Sequence, residues 1–145
     1  MSQIDRDFGL TVAALAADPV ARIAPDASLY DVAQTLAARE VGVLIVGDSA
    51  CVAGVVSERD VVRAIADRLD PSTTQAIDVA HRKLVWCDAS AAIPEVAMQM
   101  MEQYVRHVLV EESGQLVGIV SARDLLGAYA AGEVGDRDGE EDEVS

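Results

Sequence analysis

The stretch Gly54-Val55-Val56-Ser57-Glu58-Arg59-Asp60 returns 64 residues later as Gly118-Ile119-Val120-Ser121-Ala122-Arg123-Asp124. The same offset holds on either side of it. Leu29, Val32, Ala33, Leu36 and Ala37 reappear as Ile93, Val96, Ala97, Met100 and Met101. Val61, Val62, Ile65 and Ala66 reappear as Leu125, Leu126, Tyr129 and Ala130. Separate stretches sharing one register define an internal repeat, and a repeat constrains the fold before any local reading does. Upstream, Asp26-Ala27-Ser28 and Asp88-Ala89-Ser90 lie 62 apart, so the second copy gains two residues near Ala91 and Ala92.

Each copy has the same order. A short extended segment (20–24; 84–87) leads into Asp-Ala-Ser, an N-cap signature. Apolar residues at i, i+3, i+4, i+7 and i+8 then predict a helix with one buried stripe. The apolar run 43–46, the turn Gly47-Asp48-Ser49 and the run 52–56 predict a β-hairpin. Residues 108–110, Glu112-Ser113-Gly114 and 116–120 predict its counterpart. A last helix starts at Ser57 or Ser121 and reaches about Leu69 or Ala131. The unit is therefore β-α-β-β-α, in the α/β (α+β) class. A flexible start at 1–9, repeat 1 at 10–69, a turn-rich linker at 70–74 and repeat 2 at 75–131 complete the expected layout. Short helices are expected at 10–17 and 75–80, ahead of each copy. One such unit buries little on its own. Two are expected to pack sheet to sheet around a pseudo-twofold axis, leaving two related clefts for ligands.

Composition narrows the function. Half of the 145 residues are hydrophobic, yet there are only one Trp, three Tyr and one Phe, so the core must be aliphatic. No apolar run approaches the roughly 18 residues of a membrane span, and no basic start leads into an apolar segment, so a cytoplasmic protein off the membrane is expected. Eleven basic against twenty-five acidic residues give −14, which opposes nucleic acid as the main partner. Seven acids and one base from Glu133 onward account for −6 of this and predict a solvated, disordered tail at 132–145. Cys51 and Cys87 lack CxxC spacing and are expected to be reduced core thiols. There is no Ser/His/Asp order, metal-ligand spacing or P-loop, so neither an enzyme nor a metal site is expected. Met98, Met100 and Met101 read as core. His81, Arg82 and Lys83 read as surface.

The chemistry sits in the doubled motif. Taken alone, Ser57-x-x-Asp60 and Ser121-x-x-Asp124 are capping boxes before apolar helices. Taken twice, they combine a glycine-bearing strand end, a helix N-terminus, a hydroxyl and a basic side chain. Free N–H groups and the hydroxyl suit a phosphate. A carboxylate one turn later can accept hydrogen bonds from both ribose hydroxyls. Arg59 and Arg123 are candidates for the counter-charge.

The duplicated unit, closing each time on Gly-hydrophobic-x-Ser-x-x-Asp, resembles a tandem pair of CBS domains, the Bateman module, over about residues 10–131. It is most similar to small stand-alone CBS-pair proteins of bacteria. The resemblance implies a non-catalytic regulatory sensor binding AMP, ADP, ATP or S-adenosylmethionine, with no cofactor required. It implies phosphate contacts from Ser57 and Ser121, and ribose contacts from Asp60 and Asp124. It places the base among Ile23 and Val55 in one site, and Val85 and Ile119 in the other. A basic residue before the hairpin often faces phosphate in this family, which makes Arg106 and His107 candidates; the plain alternative is an exposed pair at a helix end. The family commonly has proline in the middle strand, whereas 44–45 and 108–109 have none. Homodimers shaped as flat discs, and a separate protein receiving the signal, are also implied. The net charge favours AMP over ATP. A different class of reading remains: a self-associating scaffold with vestigial clefts, in which both serines only cap helices.

Overall fold

The computed structural model describes residues 10–16, 20–48 and 51–132. The flexible start expected at 1–9 and, Gly132 apart, the acidic tail lie outside them. The described residues pack as two compact units, one drawn from 19–84 and the other from 1–18 together with 85–145. Each holds a three-stranded mixed sheet with helices.

In the first unit, β1 (Arg22–Ile23) runs parallel to β2 (Val43–Gly47), and β2 pairs antiparallel with β3 (Val52–Ser57). In the second, β4 (Trp86–Asp88), β5 (His107–Glu112) and β6 (Gln115–Ser121) repeat that topology. Even the register shifts correspond, at Val46/Gly47 and Val110/Glu111. The helices are α1 (Leu29–Arg39), α2 (Glu58–Ala66) and the short α3 (Ala76–Val79) in the first unit. The second has α4 (Ile93–Gln103), α5 (Ala122–Ala130) and a 3-10 turn at Val12–Ala14.

Alternation along the strands sends one set of side chains under the helices. Leu44, Val46 and Val56 meet Val32, Leu36 and Ala76 in the first core. Val108, Val110 and Val120 meet Ile93, Val96, Met100, Leu125 and Ala128 in the second. Met98 and Met101, expected in the core, are exposed. They fall on the outer side of α4, where only Met100 of the three points inward.

Packing departs from chain order at the leading segments. Val12 is fully buried in the second core, and Thr11 bridges Ala92. Ala76 is fully buried in the first core, and Gln75 bridges Ser28. Each short segment thus packs with the other copy, pairing at the N-terminus of that copy's first helix. The two segments are themselves 64 residues apart, so the exchange is reciprocal.

Three local expectations are corrected. Ser28 does cap α1, accepting from Asp31 N–H at 3.0 Å. Ser90 does not cap α4: the two extra residues make Ala92 the cap, with Pro94 in the first turn, and Ser90 instead donates to Asp88 from its amide and hydroxyl. The helix expected to reach about Leu69 stops at Ala66, whereas its counterpart ends at Ala130 with Ala131 as its cap, as expected. Cys51 is exposed at the first hairpin turn, while Cys87 is buried as expected. The second hairpin turns on Ser113-Gly114, both at positive φ, which a tight two-residue turn demands.

Candidate functional site

The two motifs fold alike. β3 ends at Ser57 and β6 at Ser121, each an extended N-cap whose oxygen accepts from the aspartate amide three residues on. Each aspartate reaches back to its serine amide, at 2.8 Å for Asp60 Oδ2 and 2.9 Å for Asp124 Oδ2. Both capping boxes are complete, and a capping interaction of this kind contributes about 1 kcal/mol.

Beyond the boxes the sites differ. In the first repeat the Ser57 hydroxyl also donates to Asp60 Oδ2, at 3.0 Å. Asp60 Oδ1 lies 2.7 Å from Nε2 of His81. Both carboxylate oxygens are therefore engaged, and Asp60 is only 5% exposed. His81 was expected to be plain surface. Its side chain is indeed 60% exposed, but its backbone pairs with β3. His81 N–H donates to the Val55 carbonyl at 2.8 Å, and Val55 N–H to the His81 carbonyl at 3.0 Å. Gly54 permits this approach, since a Cβ there would lie 2.7 Å from the His81 carbonyl oxygen.

In the second repeat Asp124 is half-buried. Its Oδ1 accepts no hydrogen bond, and the Ser121 hydroxyl donates none, among the described residues. A charged acceptor and a hydroxyl donor thus stand together at the start of a helix.

The neighbouring strand adds a second contrast. The Gly42 carbonyl accepts from Glu58 N–H at 3.0 Å, and the Arg106 carbonyl accepts from Ala122 N–H at 2.8 Å. Arg106 therefore sits beside the Ser121 cap, with its side chain exposed, and His107 pairs across the strands with Ser121. In the first repeat these places hold Gly42 and Val43, and the Glu58 carboxylate lies near Gly42. The first helix start carries two acids, Glu58 and Asp60; the second carries Asp124 alone and gains Arg106. Arg59 and Arg123 are exposed and form no ion pair among the described residues.

The apolar candidates divide. Ile23 and Val85 pack into the helix-covered cores. Val55 and Ile119 sit one position before the core residues Val56 and Val120, so they lie on the opposite sheet faces. Side chains of the two pairs thus do not share a face, although the Val85 carbonyl is tied to Leu109 N–H at 2.8 Å.

Two residues were missed in the sequence. One is His81. The other is Arg22 in β1, whose Nη1 is buried without a partner among the described residues. A basic residue in a short apolar strand was the available signal. Elsewhere, the Asp70 and Asp88 carboxyls are held below their ordinary range by hydrogen bonds from the hydroxyls, then the amides, of Ser72 and Ser90. Burial, followed by Asp88, Glu95 and Glu111, pushes the Cys87 thiol up to about 11. No group of three metal-ligating side chains occurs among the described residues, and none of their helices is long and apolar enough to cross a membrane.

Comparison with known proteins agrees with the duplicated architecture. Residues 12–67 and 76–131 each match the CBS domain family. Hypoxic response protein 1 of Mycobacterium tuberculosis is 36% identical over 100 residues, covering 68% of this chain and 70% of that protein. A solved structure of Hypoxic Response Protein I with two coordinated zinc ions matches with a TM-score of 0.66 and 31% identity, over 81% of this chain and 98% of that one. A CBS domain protein from Pyrobaculum aerophilum, complexed with AMP, matches with a TM-score of 0.70 and 29% identity, over 84% and 99%. With two matched copies, each carrying the strand–serine–helix closure described above, the chain belongs to the CBS-domain family as a tandem pair.

Proposed function

We propose that this protein is a non-catalytic regulatory module that binds an adenosyl ligand (AMP, ADP, ATP or S-adenosylmethionine) through a Ser-x-x-Asp closure at the start of a helix. The observation that carries the reading is the second closure. Ser121 has a hydroxyl hydrogen to donate to phosphate, and Asp124 an oxygen to accept from ribose, with Arg106 just ahead of the adjoining strand β5. The AMP-bound relative supports the ligand class. The charge of −14 favours AMP over ATP. Regulation would follow from unequal affinity for two arrangements of the protein, which typically yields about 1–3 kcal/mol of coupling.

Titration with each nucleotide, followed by Trp86 fluorescence and thermal unfolding, tests this. A bound ligand at 100 times its Kd stabilises the folded protein by about 2.7 kcal/mol. The expected result is a saturable response, stronger for AMP than for ATP. No response at millimolar nucleotide would leave the scaffold reading in its place.

Self-association has its own support. Val62 and Ile65 of α2 are exposed, and so are their repeat equivalents Leu126 and Tyr129 of α5. We propose that a second copy of the chain covers these repeated apolar faces. Sedimentation of the parent as a dimer, and of Val62→Glu/Leu126→Glu as a monomer, is the expected outcome; a monomeric parent would contradict it.

A further inference from the structure

We infer that His81 is a specificity-determining residue: it holds the first repeat's carboxylate shut, so that the chain takes one adenosyl ligand, in the second repeat. The inference rests on the adenosyl reading above and adds to it which motif is open and why. Asp60 spends Oδ2 on the Ser57 amide and hydroxyl, and Oδ1 on His81 Nε2, while lying 5% exposed. A ribose could reach it only by displacing the imidazole, whose backbone is anchored to Val55 by two hydrogen bonds. Ser57 likewise has its hydroxyl hydrogen committed to Asp60. In the repeat register the position matching His81 is Ala17, whose side chain offers no hydrogen bond, and Asp124 keeps one oxygen unengaged among the described residues. Charge runs the same way. Glu58 stands beside Gly42 in the first repeat, where the second has Ala122 beside Arg106. An anionic phosphate is repelled at one start and attracted at the other.

Calorimetric titration of the full chain with AMP tests this. The parent should bind one equivalent. His81→Ala should add a second, weaker equivalent, abolished again by Asp60→Ala in the same chain. Because His81→Ala removes a partner from a buried carboxylate and can impair folding, the parent background supplies a parallel test. There, Asp124→Ala should weaken AMP about 10- to 100-fold, the value of one or two charge-assisted hydrogen bonds, and Asp60→Ala should leave affinity unchanged. Two equivalents in the parent, or loss of binding in Asp60→Ala but not in Asp124→Ala, would overturn the His81 inference while leaving the adenosyl reading standing. No AMP binding by either the parent or His81→Ala would overturn the adenosyl reading itself, and the inference with it.

Discussion

The two repeats share strand order, register shifts and capping boxes, yet their motif carboxylates lead different lives. Asp60 is buried with both oxygens hydrogen-bonded; Asp124 is half-buried, and one of its oxygens has no partner among the described residues. The difference arises outside the motif, from a histidine 21 residues away that the packing returns to β3. Duplication thus preserves a scaffold and its caps, while a residue in the connecting segment changes the hydrogen bonding of one carboxylate.

The largest effect should test the sharing. Leu29 and Ile93 are equivalent, begin α1 and α4, and are almost completely buried. Truncating either to alanine should cost about 2–5 kcal/mol in urea unfolding, from lost transfer energy plus a cavity. A cost at one position only would break the equivalence of the two helix starts. A smaller effect should expose a difference. Ser28→Ala should lose about 1 kcal/mol of cap energy, whereas Ser90→Ala should lose none of it, because Ala92 begins α4. Equal losses would restore the expected second cap.

The smallest effect concerns the thiols. Alkylation at pH 8 should modify exposed Cys51 and spare buried Cys87 until the protein unfolds. Burial favours the neutral Cys87 thiol, so its folded pKa, about 11, stands above the ordinary 9.0. Its contribution to stability is therefore complete below pH 9.0 and is lost as pH rises through about 11. Equal alkylation of both cysteines in the folded protein would place Cys87 outside the core.

The repeat, the β-α-β-β-α order and the Ser-x-x-Asp caps were legible because each is written in short-range pattern: apolar spacing, turn residues and a capping box. Ser121, Asp124, Arg106 and His107 gather at one helix start because adjacent strands place them there. What stayed hidden depended on pairing at long range. Nothing local tells that Gln75 crosses to Ser28, or Thr11 to Ala92, and so the exchanged segments read as parts of the following repeat. His81 looked like one of three adjacent polar residues because its partner lies in another element. The glycine at 54 was a trace of that approach, but a glycine also precedes the second motif, where the matching position holds alanine.

Amide chemical shifts of the labelled protein during AMP titration test the central claim most directly. Resonances of Ser121, Asp124 and His107 should move saturably, while those of Ser57 and Asp60 stay in place. Saturable movement at Ser57 and Asp60 instead, or none at either motif, would contradict the account.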